Sequence, residues 1–104
     1  MGIGTEEPRR PWIHPDVRRE HVIKLAAVAN SRTELVGRLV RPDGELAAEI
    51  SQAPSGHATE VTVIIYQGVP CFAWAADHEA IAAVEDIAET LTAVRHRLAM
   101  QEQT

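Results

Sequence analysis

The chain has 104 residues, of which 45% are hydrophobic and 24% are charged, and its formal net charge is −5. This length is typical of a single domain, and no apolar run approaches the ~20 residues that a membrane-spanning helix needs. The single cysteine and the lack of an apolar signal-peptide region argue against disulfide scaffolds, classical zinc fingers and export, so we expect a small soluble protein in the cytoplasm.

The charge is unevenly distributed along the chain. Residues 1–41 carry a surplus of three positive charges, whereas residues 42–104 carry a surplus of eight negative ones. The overall acidity argues against nonspecific nucleic-acid binding, but the basic first part leaves a local anion-binding site open. The preference for arginine over lysine is typical of a GC-rich bacterial genome.

Residues 1–14 are predicted to form a flexible N-terminal tail, because they contain several prolines and no periodic apolar pattern. Trp12 and Ile13 are the exceptions in this segment. A tryptophan flanked by prolines usually packs against the domain or docks on a partner, because it is too apolar to favour free solvation.

Residues 15–30 are predicted to form the first helix, which starts at Pro15 and Asp16. At 100° per residue, its apolar side chains fall on one arc. This arc consists of Val17, His21, Val22, Leu25, Val28 and Ala29.

Residues 35–51 are predicted to form a β-hairpin around the turn Pro42-Asp43-Gly44. A register that pairs Arg41 with Glu45 places Val36, Val40, Leu46, Ala48 and Ile50 on one face. A competing interpretation remains open, because residues 31–34 fit a capping box and residues 45–52 are rich in helix formers. Two short helices in this region would give a winged helix-turn-helix.

Residues 58–75 show the clearest β pattern in the chain. The segment 61–66 is β-branched and aromatic, and Gln67-Gly68 is a two-residue turn. The implied register places Val61, Val63, Ile65, Phe72 and Trp74 on one face, while the other face is also rather apolar. Such a strand usually lies centrally in a sheet or at a subunit contact. Pro70 favours an edge position for the returning strand.

Residues 77–100 are predicted to form the second helix, with Asp77 as its N-cap. Its apolar arc consists of Ala80, Ile81, Val84, Ile87, Ala88, Leu91, Val94 and Leu98. The complete prediction is a single α+β domain over residues 15–100, followed by a frayed C-terminus over residues 101–104. In this domain a four-stranded antiparallel meander is flanked by an N-terminal and a C-terminal helix, in the order α-β-β-β-β-α.

No constellation of residues identifies a reaction, so the sequence predicts neither an enzyme nor a cofactor. The stripe of His78, Glu85, Glu89 and His96 spans too great a rise to hold one metal ion, and no metal site is expected. Cys71 lies within a predicted strand among apolar neighbours, where a packing role is more common than a nucleophilic one.

The leading functional interpretation is a non-catalytic interaction or regulatory module that acts as a homodimer or with a protein partner. Its candidate contact residues are Trp12, Tyr66, Phe72 and Trp74. The alternative is a nucleic-acid-binding protein whose phosphate contacts are made by Arg9, Arg10, Arg18, Arg19 and Lys24. A third interpretation is a small-ligand-binding α+β domain with a pocket between sheet and helix.

Overall fold

A computed structural model describes residues 13–102 of the chain. It contains a five-stranded antiparallel sheet in the order β1-β2-β3-β4-β5, between two helices in the sequence. The elements are α1 (Pro15–Asn30), β1 (Leu35–Val40), β2 (Ala47–Gln52), β3 (Ala58–Tyr66), β4 (Val69–Trp74), β5 (Ala80–Ala83) and α2 (Ile87–Glu102). The predicted α+β class with a meander sheet is confirmed, and the sheet has one more strand than expected. No helix in this part of the chain is long and apolar enough to cross a bilayer.

The first helix begins at Pro15 as predicted. His14 is its N-cap, and the His14 Nδ1 atom accepts a hydrogen bond from the backbone N–H of Asp16 at 3.0 Å. Proline suits this first position because it has no N–H to leave without a partner. The buried face of α1 consists of Val22, Leu25, Ala26 and Ala29, so only part of the predicted arc is buried.

Residues 35–52 form a hairpin, so the winged helix-turn-helix alternative is wrong. The predicted register is also wrong, by one residue. The structure pairs Val40 with Ala47 and joins the two strands by a loop over residues 41–46, instead of pairing Arg41 with Glu45. Because side chains alternate along a strand, this shift moves Val36 and Val40 to the face opposite Ile50.

The physical reason for the observed register is the close packing of α1 on β1. Gly37 lies opposite Ile50, on the face that α1 covers. A Cβ atom at Gly37 would lie 2.7 Å from the carbonyl oxygen of Ala26 and 2.9 Å from its Cα, so only glycine fits against this turn of the helix. The predicted register would have placed a valine in this position.

Asn30, the last residue of α1, fixes the same contact through hydrogen bonds. Its Oδ1 accepts from the Gly37 N–H at 2.8 Å, and its Nδ2 donates to the Gly37 carbonyl at 2.9 Å. The amide therefore pairs with the outer edge of β1 as a neighbouring strand would.

The β3–β4 hairpin agrees with the prediction in register and in turn. Val61 lies opposite Trp74 and Val63 opposite Phe72, on the face that packs against the helices. Gln67 and Gly68 have φ values of 52° and 81°, which are the two positive values that a type I′ turn requires.

The predicted second helix over 77–100 is wrong over residues 77–86. Residues 80–83 form β5, and α2 begins at Ile87, so Asp86 rather than Asp77 occupies the N-cap position. The Asp86 Oδ1 accepts from the Glu89 N–H at 3.4 Å. The alanine-rich segment suits a helix by propensity, but as a strand it pairs with β4, whose backbone groups would otherwise lack partners on that side.

β4 is consequently an interior strand rather than the predicted edge. Pro70 lies just beyond Cys71, the last residue of β4 in the β4–β5 register, and its carbonyl still accepts from the Val84 N–H at 3.2 Å. Proline is tolerated here because the position is at the end of the ladder, where only the return bond from its nitrogen is missing.

The hydrophobic core lies between the helices and one face of the sheet. Its fully buried large side chains include Leu25, Ile50, Phe72, Val94 and Leu98. Ile13, which falls within the predicted tail, is also buried in this core. Of that tail, residues 1–12 lie outside the described part, as do the C-terminal residues 103–104.

The contact at Gly37 gives a direct test of what determines the register. We expect Gly37→Ala to lower the free energy of unfolding by about 1–3 kcal/mol, because the added methyl meets helix backbone that cannot move aside alone. Urea denaturation followed by circular dichroism measures this change.

Val36→Ala, on the opposite face of the same strand and 49% exposed in the native protein, is the matched control and should change stability by less than about 1 kcal/mol. Equal stability of Gly37→Ala and the native protein would contradict the packing argument.

Candidate interaction surface

Both helices pack against the same face of the sheet. The core cluster contains residues of α1 and α2, and every strand residue in it points to that one face. Within residues 13–102, no helix covers the opposite face, which we call the uncovered face.

One half of the uncovered face is apolar. The register places Val40, Ala47, Thr62, Ile64, Tyr66, Val69, Cys71 and Ala73 in this half. Tyr66 and Val69 lie opposite each other beside the β3–β4 turn, with 51% and 45% of their surfaces exposed. Ala47, Thr62, Cys71 and Ala73, at the centre of the sheet, are buried although no helix of the described part covers them.

The other half of the uncovered face is charged. Arg38, Glu49 and Glu60 lie side by side on β1, β2 and β3. The Nε–H of Arg38 donates to the Oε1 of Glu49 directly across the strand pair. This hydrogen bond and the negative charge of Glu49 raise the pKa of the Arg38 guanidinium above its ordinary value.

Two connections flank the centre of this face: the β1–β2 loop and the β4–β5 turn. His78 has a φ of 62°, and the Asp77 Oδ1 accepts from the Glu79 N–H at 2.9 Å, which tightens the β4–β5 turn. The His78 Nε2 lies 3.7 Å from the Oε1 of Glu45 in the β1–β2 loop. A cavity of about 510 Å³ beside the β4–β5 turn is lined by Tyr66, Cys71, His78 and Glu79, among others.

The predicted contact residues are divided between the two faces of the sheet. Phe72 is completely buried in the core, and Trp74 is 8% exposed at the edge of the helix layer. The Arg97 guanidinium lies 3.9 Å from the centroid of the Trp74 ring, a cation–π contact between α2 and β4. Tyr66 is exposed on the uncovered face, and Trp12 lies outside the described residues.

The predicted phosphate-binding residues differ in their exposure and in their contacts within the chain. The side chain of Arg18 is only 17% exposed, its Nε–H donates to the Val63 carbonyl at 3.2 Å, and its Nη2 lies 3.9 Å from Glu45. Arg18 therefore supplies a hydrogen-bond donor to the Val63 carbonyl, at a position of β3 that the pairing with β2 does not reach. Arg19 and Lys24 are exposed on α1, and Arg9 and Arg10 lie outside the described residues.

The candidate contact residues did not include Val40, Ile64 or Val69, which the structure places in the apolar half. Ile64 had a usable signal in the alternation of Thr62, Ile64 and Tyr66, and the turn at Gln67-Gly68 places Val69 opposite Tyr66. Val40 was assigned to the core because the predicted register was shifted by one residue.

Among residues 13–102, no group of three or more histidine, cysteine, aspartate or glutamate side chains is arranged to hold a metal ion. No protein-family model matches the chain, and no curated protein or solved structure matches it either. The geometry of the uncovered face is therefore the basis for the functional argument.

The two adjacent arginines of α1 provide a matched pair of variants. We expect Arg18→Ala to cost about 1–2 kcal/mol of unfolding free energy, because the Val63 carbonyl and Glu45 lose their cation. Arg19→Ala, on the exposed surface of the same helix turn, should change stability by about 0.5 kcal/mol or less.

Thermal or urea denaturation of both variants at one pH and ionic strength measures the difference. If the two substitutions had the same effect, the structural role of Arg18 would be refuted.

Proposed function

We propose that this protein is a non-catalytic protein-interaction module that binds a protein partner through the uncovered face of its sheet. The observation that supports this most strongly is the apolar half of that face, where Tyr66 and Val69 are each about half exposed beside Ile64. Contiguous exposed apolar surface is unfavourable in water and is typical of a protein-binding site.

The composition of the face supports a protein partner over other classes. It combines an aromatic side chain and aliphatic side chains with a charged region beside them, which is the arrangement of an interface core with a polar rim. Tyrosine is among the residues that contribute most binding energy in such interfaces.

Polar groups on two rows of this face have partners within the chain. The Thr62 hydroxyl donates to the Leu46 carbonyl at 2.9 Å, and Arg38 is paired with Glu49. These groups stabilise the face as a fixed surface rather than present reactive atoms to a substrate, which favours a binding role.

Site-specific photocrosslinking tests the proposal in cells that make the protein. A benzophenone amino acid at Ile64, in the apolar half, should give a discrete protein adduct after irradiation. The same probe at Ala27, which is exposed on α1, is the control and should give none, because α1 lies on the other side of the sheet.

The adducts are identified by gel mobility and mass spectrometry. No adduct at position 64, or equal adducts at positions 64 and 27, would refute the uncovered face as the binding surface.

A further inference from the structure

We infer that a groove between α2 and the end of β4 binds a small organic acid, and that Arg97 holds its carboxylate. The ligand class is a carboxylate joined to an apolar group. The groove lies on the helix side of the sheet, so this inference is independent of the partner proposed for the uncovered face. Three observations lead to it: the free donors of Arg97, the charges around the groove and its apolar lining.

The groove follows one stripe of α2. Its volume is about 600 Å³, which is within the range of small-molecule sites, and it is open to solvent along one side. Residues three or four apart on a helix lie on the same face, and this spacing brings the α2 side chains of the lining together. The lining consists of Ala93, His96, Arg97, Met100 and Gln101 of α2, with Trp74 of β4.

Two contacts hold this stripe of α2 against the sheet. The Cζ atom of Arg97 lies 3.9 Å from the centroid of the Trp74 ring, and the Nε2 of Gln101 donates to the Ala58 carbonyl at 3.4 Å. Leu98, on the inner side of the same turn, is completely buried in the core. The wall of the groove is therefore in place before a ligand binds, which lowers the entropic cost of binding.

The guanidinium of Arg97 has hydrogen-bond donors that the described residues do not use. Within residues 13–102, Arg97 makes the cation–π contact with Trp74 and no hydrogen bond or ion pair through its side chain. The indole ring attracts the positive charge but supplies no oxygen acceptor for the five N–H groups. A guanidinium held on an aromatic ring in this way is suited to bind a carboxylate through two parallel hydrogen bonds.

The lack of a carboxylate beside Arg97 is notable in this acidic part of the chain. Residues 42–104 carry eight more negative than positive charges, and Arg95 and Arg97 are the arginines among them. Arg95 donates to the Oε1 of Glu34 at 2.7 Å. Arg97, two residues further along the same helix, has no such partner among the described residues.

The charges of the groove favour an anionic ligand. Its ionisable lining residues, within the described part of the chain, are Arg97 and His96, and neither is acidic. Glu60 lines a separate, smaller cavity of about 310 Å³ that also borders Trp74 and Arg97, and it does not line the groove. A cation in a groove without carboxylates attracts an anion from solution.

The remaining lining specifies an apolar body for the ligand. Met100 is 57% exposed, and it lines the groove together with Ala93 and the Trp74 ring. Methionine side chains adapt to the shape of an apolar group. A carboxylate that carries a ring or a short alkyl chain can bind Arg97 and bury this surface at the same time, whereas an anion or an apolar group alone uses only part of the groove.

NMR titration of the ¹⁵N-labelled protein with three probes tests the ligand class. The probe 3-phenylpropionate has both the carboxylate and the ring, 3-phenylpropionamide has the ring without the charge, and acetate has the charge without the ring. We expect 3-phenylpropionate to shift the resonances of Trp74 and of residues 93–101. It should bind at least about tenfold more tightly than either of the other two probes.

Substitutions of Arg97 test which side chain holds the carboxylate. Arg97→Gln removes the charge and should weaken the binding of 3-phenylpropionate by roughly tenfold or more. Arg97→Lys keeps the charge without the paired donors, and its affinity should lie between those of Arg97→Gln and the native protein. Arg19→Gln, exposed on α1 with the same change in net charge as Arg97→Gln, is the control and should bind like the native protein.

Met100→Ser tests the apolar lining. It should weaken the binding of 3-phenylpropionate by roughly threefold or more and leave the weaker binding of acetate unchanged, because acetate has no apolar body to contact. Circular dichroism confirms that every variant is folded, and the comparison of the three probes needs no variant at all.

Three results would overturn the inference. The first is the absence of shifts in residues 93–101 at about 20 mM 3-phenylpropionate, an affinity too weak for a specific site. The second is equal binding of the acid and the amide, which would refute recognition of the carboxylate. The third is an equal loss in Arg97→Gln and Arg19→Gln, which would show a response to net charge alone. Photocrosslinking at position 64 tests the uncovered face separately, so the two proposals stand or fail independently.

Discussion

The contact between Ala26 of α1 and Gly37 of β1 determines how the rest of the sheet is arranged. The helix backbone approaches so closely that no side chain fits at Gly37, and Asn30 binds both backbone groups of the same glycine. Because side chains alternate strictly between the two faces along a strand, the position of Gly37 toward α1 determines which face each of the remaining β1 residues occupies. Pairing then transmits this choice to β2 and β3, so one close contact decides which residues form the core and which form the uncovered face.

What could be predicted from the sequence depended on whether the deciding contact was local. The β3–β4 hairpin was predicted in register because Gln67-Gly68 and the alternation beside it are sufficient to specify it. The register of β1 and β2 depends on Gly37 meeting the helix backbone at Ala26, a contact outside the hairpin that no turn rule contains. Similarly, residues 80–83 have helical propensity, and only the unpaired side of β4 makes them a strand.

The candidate surface was predictable in part for the same reason. Tyr66 lies on a locally specified hairpin, and the apolar second face of β3 was visible in the alternation of Thr62, Ile64 and Tyr66. Phe72 and Trp74 were also recognised as important, but hydrophobicity alone cannot show that they face the helices. Arg18 binds the Val63 carbonyl because the pairing of β2 with β3 does not reach Val63, and this is a property of the assembled sheet.

The protection of the sheet edges explains why association through the face is favoured over association through the edges. An exposed outer strand invites pairing with a strand of another molecule, and repeated pairing of this kind does not close. Asn30 opposes this growth, because a strand added along β1 must displace the amide from Gly37. β5 opposes it as well, since it has only four residues. The uncovered face has no such protection around Tyr66 and Val69, which are each about half exposed, so the proposed partner binds there and both edges stay as the fold leaves them.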